Sequence, residues 1–363
     1  MSASKDPKPL VIVYHADCID GAACAWGVSK AWGVDTKTDH NVTYIPYGHH
    51  DTEEAERKIH AALKPDSELY FVDVAPNPGL LDDLMTPGPD GKAKTEAIHI
   101  MDHHKSAVAM LKDYAPPETT GNAPKLEMLI DESKTSAARM VWEHVMPDEP
   151  VPPVLDVINL MDGDAAGLTT PMDFAAAALI DTRDISNIDR ALIALRGLAK
   201  LTFNDMAKKG KFIAADQNTK INKLLANAQF VTMQILPDTD PIAVPVVNGD
   251  VKQFGRQVSE RLVSLGKQTG SGVAFAWFMQ KNGSISMSIR TDGSPDAQLI
   301  ADHLKQTMGV TGGGHAGAGA VHFSSLFEFS RQMPFHMPQQ TTQEAAINRK
   351  PLPPAIDPGK YLH

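Results

Sequence analysis

Residues 10–32 read LVIVYHADCIDGAACAWGVSKAW, and the fold turns on how this stretch is parsed. The run Leu10, Val11, Ile12, Val13, Tyr14 is too short for a helix and rich in strand-forming side chains. A polar turn follows, and then an amphipathic segment too long to be a turn. The same alternation recurs in VTYIPY (42–47) before TEEAERKIHAAL (52–63), LYFVDV (69–74) before PGLLDDLM (78–85), and AIHIMD (97–102) before KSAVAMLKDY (105–114). This pattern predicts βα units around a mostly parallel sheet, an α/β fold whose ligands gather at the carboxyl ends of the strands. SKTSAARMVWEHVM (133–146) and PVLDVINLM (153–161) predict two further helices.

From about Thr169 to Met233 the periodicity is helical, as in DRALIALRGLAKLTFNDMAKKG (189–210) and DQNTKINKLLANAQ (216–229). Strands return in IAVPVVN (242–248) and in SGVAFAWFMQKNGSISMSIRT (271–291), where Asn282-Gly283 between alternating segments signals a hairpin. A helix over PDAQLIADHLKQTM (295–308), a glycine-rich loop and the strand AVHFSS (320–325) complete the reading. The expected organisation is an α/β domain over 1–168, a helical connector over 169–236 and a smaller mixed α/β domain over 237–331. The proline- and glutamine-rich tail, 332–363, is expected to be poorly ordered or draped over the surface.

With 34 basic and 44 acidic residues the chain carries a formal charge of −10, which opposes a broad basic surface for duplex nucleic acid. Cys18 and Cys24 are the only cysteines, so no disulfide framework and no CxxC metal pair exists. A reducing cytoplasm is the expected compartment. No apolar run approaches the roughly 18 residues of a membrane span, and neither a signal peptide nor an anchor is expected.

Acidic and histidine side chains fall directly after three predicted strands: His15, Asp17 and Asp20 after the first, Asp73 after the third, and Asp102, His103 and His104 after the fourth. A fourth group, Asp162 and Asp164, ends a helix. Singly, each has a plain reading as a turn, cap or surface residue. Together at one edge of a parallel sheet they offer the carboxylate and imidazole donors that two divalent cations require. Trp26, Trp32, Trp142 and Trp277 read as packing residues, and TEEAERK as the wet face of a helix.

HADCIDGAA, FVDVAPN, IMDHHKSA and MDGDAAGL, in that order, resemble the four motifs of the DHH phosphoesterase superfamily, and Asp102-His103-His104 is the naming triplet. SIRTDGSPDAQLIADHL followed by GGGHAGAGAVHF resembles the DHH-associated C-terminal domain, so the likeness spans roughly residues 11–323. It implies two manganese ions, with magnesium as a substitute. His15 and Asp17 would hold one ion, Asp20, His103 and Asp164 the other, and Asp73 would bridge them. Asp102 would orient a histidine, and His104 would face the substrate phosphate. In the C-terminal domain Arg290, Gly312, Gly313, Gly314 and His315 would receive an anionic phosphate or ribose edge.

Two departures stand out. The first motif reads Asp-Cys-Ile-Asp where the superfamily spaces its carboxylates evenly, so Asp17 and Cys18 compete as ligands, although a thiolate suits manganese poorly. Asp162 likewise competes with Asp164. The glycine-rich segment continues His-Ala-Gly-Ala-Gly-Ala rather than with a proline and paired alanines.

The resemblance implies a phosphodiesterase of the nanoRNase-like branch. It would cleave short oligoribonucleotides or linear dinucleotides to mononucleotides, by in-line attack of a bridging hydroxide between two cations. The second domain would close over the cleft. Alternatives are a 3′-phosphoadenosine nucleotide phosphatase, a cyclic-dinucleotide phosphodiesterase, a single-strand exonuclease or a silent nucleotide sensor. No membrane and no duplex nucleic acid is expected as a partner, and a homodimer is left open.

Overall fold

The structure, a computed structural model, describes residues 8–34, 41–48, 52–118, 122–162, 167–250, 255–333 and 335–336. The chain divides into two compact units, Met1–Gly210 and Lys211–His363.

In the first unit strands and helices alternate as β1 (Leu10–His15), α1 (Ile19–Ala31), β2 (Val42–Tyr47), α2 (Thr52–Ala62), β3 (Glu68–Val72), α3 (Pro78–Met85), β4 (Ala97–Asp102), α4 (Lys105–Leu111), β5 (Lys125–Ile130), α5 (Ala137–Val145) and α6 (Pro153–Asp162). The five strands pair in the order β2-β1-β3-β4-β5, every pair parallel, with Val13 opposite Phe71 and Phe71 opposite Ile100. Central strands covered by helices on both faces carry continuous apolar runs, which explains why LVIVY and LYFV do not alternate. Val11, Val13, Leu69, Phe71, Ile98 and Ile100 pack with Ile59, Leu80, Leu81 and Leu84 of α2 and α3. Trp26 of α1 and Trp142 of α5 are buried with their rings 5.1 Å apart.

The strand β5 is an addition to the sequence reading. Its Lys125, Glu127 and Met128 are exposed and it lies at the sheet edge, so burial imposes little on its sequence.

Three helices follow: α7 (Pro171–Asp181), α8 (Ile188–Leu198) and the 24-residue α9 (Phe203–Ala226), which merges the two helical segments expected around 203–229. The division between the units falls inside α9. Capping fixes where α7 begins: Thr170 accepts from the Asp173 amide, and the Asp173 carboxylate receives the Thr170 amide in return.

The second unit contains β6 (Gln229–Met233), β7 (Ile242–Asn248), α10 (Gly255–Gln268), β8 (Val273–Met279), β9 (Ile285–Thr291), α11 (Ala297–Met308), β10 (Thr311–His315), β11 (Ala318–Phe323), α12 (Leu326–Gln332) and β12 (Phe335–His336). Its sheet runs β10-β11-β9-β8-β7-β6-β12; β7 and β8 pair in parallel with α10 between them in sequence, and the other described pairs are antiparallel. The Asn282-Gly283 turn joins β8 to β9, with Gly283 at φ 85°. Val244, Phe275, Met287, Ile289, Ile300 and Val321 belong to its core.

Two expectations change here, and a third falls mostly outside the described residues. Residues 229–233, read as part of a helical connector, form β6. Of the tail, Phe335 and His336 pair with Val231 and Phe230, while 337–363 lie outside the described residues. The glycine-rich loop is strand β10. A side chain at Gly312 would run into the carbonyl of Ala320, and one at Gly314 into that of Ala318 and the Cα of Gly319. At Gly313 nothing lies within 4 Å of the added carbon. Gly312→Ala and Gly314→Ala are therefore expected to cost about 1–3 kcal/mol each through overpacking, and Gly313→Ala roughly 1 kcal/mol or less. Denaturant unfolding of the three variants checks that order.

No helix among the described residues is long and apolar enough to cross a membrane.

Candidate active site

Strands β1, β3 and β4 are adjacent and parallel, so the residues at and just beyond their carboxyl ends emerge side by side. Asp73 is the first residue after β3. Its amide continues the ladder by donating to the Met101 carbonyl at 2.9 Å, yet its φ is 59°. A non-glycine residue held there stores roughly 1–3 kcal/mol of strain, and such residues concentrate at functional sites. The Asp73 side chain is 1 % exposed and neither carboxylate oxygen has a hydrogen-bond partner among the described residues.

The two oxygens face different neighbours. Oδ2 lies 3.4 Å from Nδ1 of His15, while Oδ1 lies 3.3 Å from Nε2 of His103 and 3.8 Å from Nδ1 of His104. Nδ1 of His15 and Nε2 of His103 are themselves buried without a hydrogen-bond partner among the described residues. Burial works against the charge on Asp73, but the facing imidazoles of His103 and His15 prevail and hold its carboxyl below the usual range. Burial also works against a charged His103, and here the carboxylates of Asp73, Asp20 and Asp162 prevail, raising it to about 9.

Asp20 sits in the first turn of α1 and is fully buried. Its Oδ1 accepts from Ser136 Oγ at 2.7 Å and the Ala138 amide at 3.0 Å, and its Oδ2 from the Ala137 amide at 2.8 Å. It thereby caps α5, whose own N-cap residue, Ser136, makes no side-chain cap bond. Oδ2 also stands 3.8 Å from Nε2 of His103, which lies 3.3 Å from Oδ2 of Asp162. Burial, then Asp73 and Asp162, push Asp20 up to about 8. Among the described residues, three carboxylates crowd a space whose counter-charge comes from imidazoles, which is the electrostatic signature of a cation site.

Donor atoms converge within 4.8 Å of one another in three sets: His15, Cys18 and Asp73; Asp20, His103 and Asp162; and Asp73, His103 and His104. Orphaned buried atoms on three elements, aimed at one another, fit divalent cations. Nδ1 of His103 faces the Lys134 carbonyl at 3.2 Å, which orients its Nε2 toward the cluster.

His104 is held differently. Asp102 Oδ1 accepts from the His104 amide at 3.0 Å and meets its Nδ1 at 2.7 Å. The ring borders a cavity of about 360 Å³ that is also lined by His15, Thr52, Asp73, Asn77 and Ser106. With Nδ1 bonded to Asp102, Nε2 is the nitrogen left to meet a ligand. Asn77 both caps α3, accepting from the Leu80 amide, and donates to Glu56.

Of the metal ligands expected from sequence, His15, Asp20, Asp73 and His103 are brought together. Asp17 joins none of the three sets: it is exposed, with φ 54°, in the turn that carries the chain from β1 into α1. Cys18, its competitor, takes the place beside His15 and Asp73. Asp164 lies outside the described residues; among those described, Asp162, the last residue of α6, stands with Asp20 and His103. The sequence signal for Cys18 is its spacing, two residues before Asp20, in an otherwise thiol-poor chain.

In the second unit Arg290 is engaged within its own sheet and the helix beside it. Its Nε donates to Ser259 Oγ at 3.1 Å and its Nη1 to the Ile289 and Gly319 carbonyls at 2.9 and 3.4 Å. The Gly314 amide donates to Gln298 Oε1 at 2.6 Å, and His315 ends β10.

No family model matches the chain, and no curated protein matches it in sequence. Solved structures to which the chain bears some likeness include an exopolyphosphatase-related protein from Bacteroides fragilis, at 13% identity over 94% of this chain and 92% of that one, with a TM-score of 0.44. An exonuclease RecJ bound to manganese matches at 12% identity over 98% and 93%, TM-score 0.44. RecJ from Thermus thermophilus in complex with Mn2+ matches at 13% over 87% of this chain and 49% of that one, TM-score 0.43. The functional reading therefore rests on the chain's own residues at the ends of β1, β3 and β4, at the start of α1 and at the end of α6.

Proposed function

We propose that the chain is a metal-dependent phosphoesterase, and more narrowly a manganese-supported phosphodiesterase that cleaves short oligoribonucleotides or linear dinucleotides to mononucleotides. The observation that carries this is Asp73: a strained, buried carboxylate with both oxygens unbonded, one turned to His15 and the other to His103. A carboxylate placed this way would offer one oxygen to each of two cations. Asp20, His103 and Asp162 would hold one of them, and His15 would contribute to the other. Bound there, two divalent ions supply an activated water and neutralise charge on the phosphoryl oxygens.

The protein's own groups do the rest. Asp102 fixes the His104 ring so that its outward nitrogen can bind a phosphate oxygen or pass a proton to the leaving group. Within the second unit, Arg290, Gly312, Gly313 and His315 are proposed to bind a phosphate or ribose, with Gly314, whose amide already donates to Gln298, shaping the strand that carries them. The net charge of −10 favours small anions neutralised by bound cations over long strands.

Divalent ions should stabilise the fold as well as support turnover. At a concentration about 100 times Kd, an ion that binds only the folded state adds roughly 2.7 kcal/mol, which moves the melting midpoint of a 200-residue unit by about 5–10 °C. Thermal scans with manganese, magnesium or chelator measure this.

The functional test is a timed digestion of two-, five- and twenty-four-nucleotide RNA and DNA, a 3′-phosphoadenosine nucleotide and cyclic dinucleotides, each with manganese, magnesium or chelator. Mononucleotides released fastest from the shortest RNA, and only with metal, support the proposal. Preference for long strands, or release of inorganic phosphate alone, would replace it with an exonuclease or a phosphatase. Binding without cleavage at a filled metal site would make the chain a sensor.

A further inference from the structure

We infer that Cys18 is a thiolate ligand, with His15 and Asp73, of one of the two ions. The centre would then be chemically asymmetric, with one half selecting a borderline ion such as zinc, cobalt(II) or iron(II) over magnesium and manganese. This inference rests on the two-ion reading above and refines it.

Three independent features converge on Cys18. Its sulfur lies in a set with His15 and Asp73 whose donor atoms are all within 4.8 Å of one another. Two donors on a tetrahedral ion with bonds of about 2.0–2.3 Å lie roughly 3.5 Å apart, so a small inward movement closes the set. Both partners are unsatisfied: Asp73 is 1 % exposed with neither oxygen hydrogen-bonded, and Nδ1 of His15 is buried without a partner among the described residues. Finally, Cys18 occupies the N-cap of the 13-residue helix α1, where the Gly21 amide of the first turn approaches the sulfur and a donor pair remains for an ion.

Asp17 cannot take this role without rebuilding the turn, because its left-handed backbone holds it in the exposed link between β1 and α1. The other half of the centre, Asp20, His103 and Asp162, offers oxygen and nitrogen donors only, as manganese or magnesium prefers. A thiolate, an imidazole and a carboxylate suit a softer ion at four-coordination. On binding, the thiol transfers its proton to solvent as the metal–sulfur bond forms, and nothing is oxidised or reduced.

The test uses the full chain, stripped of metal and titrated with cobalt(II). Thiolate coordination gives an intense near-ultraviolet sulfur-to-cobalt charge-transfer band that oxygen and nitrogen ligands do not. The band is expected in the parent and in Cys24→Ala, whose thiol is buried in packing, and is expected to vanish in Cys18→Ser and Cys18→Asp. Cys18→Asp retains a good helix N-cap, so it guards against misfolding. It should also shift the zinc-to-manganese binding ratio toward manganese by about tenfold or more. If the parent binds two cobalt ions by equilibrium dialysis without the band, the thiolate assignment falls and the two-ion reading stands. If it binds no cobalt, both fall.

Discussion

Asp73→Ala is expected to reduce metal-dependent phosphodiester hydrolysis by roughly a thousandfold or more, equivalent to about 4 kcal/mol of transition-state stabilisation. The size follows from position. Asp73 is the carboxylate that faces both histidine sides of the cluster, with oxygens 3.4 Å from His15 and 3.3 Å from His103. Removing it deprives each proposed ion of a ligand and parts the two. Asp73→Asn keeps the shape and tests the charge alone; it should lose a similar factor and also the melting shift produced by added metal. Steady-state rates on a dinucleotide, with circular dichroism to verify folding, decide the matter. Full activity in either variant would remove Asp73 from the bridging role.

The second large effect is expected from a single methyl group. A Cβ built on Gly21 would stand 2.5 Å from the His15 carbonyl oxygen and 3.0 Å from the His15 Cβ. Both belong to the end of a central strand that cannot yield cheaply. Gly21→Ala must therefore push α1 away from β1, costing about 1–3 kcal/mol by overpacking. The same displacement moves Asp20 relative to His15, so activity should fall by about a hundredfold or more, as ångström-scale misplacement of reacting groups does. Gly27, on the same helix, supplies the control: its added carbon would meet Trp142 and Val141 at 3.8 Å, an ordinary contact. There alanine relieves a mid-helix glycine and should leave activity intact while raising stability by up to about 1 kcal/mol. Comparing melting midpoints and rates of the pair separates a general cost of altering α1 from the specific contact beneath Asp20.

Much of the first unit is legible in the sequence because central parallel strands must be apolar on both faces, so LVIVY, LYFV and AIHIM announce themselves. The edge strand β5 does not, since solvent lets Lys125 and Glu127 occupy it. Helix α10 is equally quiet: its apolar stripe is the thin row Val258, Leu262 and Leu265, set among polar residues between two conspicuous strands. At the site, His15, Asp20, Asp73 and His103 follow from position at strand or helix ends. The choice between Asp17 and Cys18 does not, because it depends on one left-handed residue that leaves the first carboxylate in solvent and the thiol beside His15 and Asp73. The three glycines suggest backbone donors to an anion, whereas two of them are required by the close approach of β11.

The ends of the two sheets bear on solubility. An open sheet invites another chain to extend it, and the four terminal strands each discourage that. In the first unit β2 is interrupted by Pro46, which lacks an amide to donate, and β5 presents charged Lys125 and Glu127. In the second, β10 carries three consecutive glycines, and β12 has two residues among those described. Neither rim is a good template for intermolecular strand pairing, so self-association would proceed more readily through helical faces than by joining sheets edge to edge.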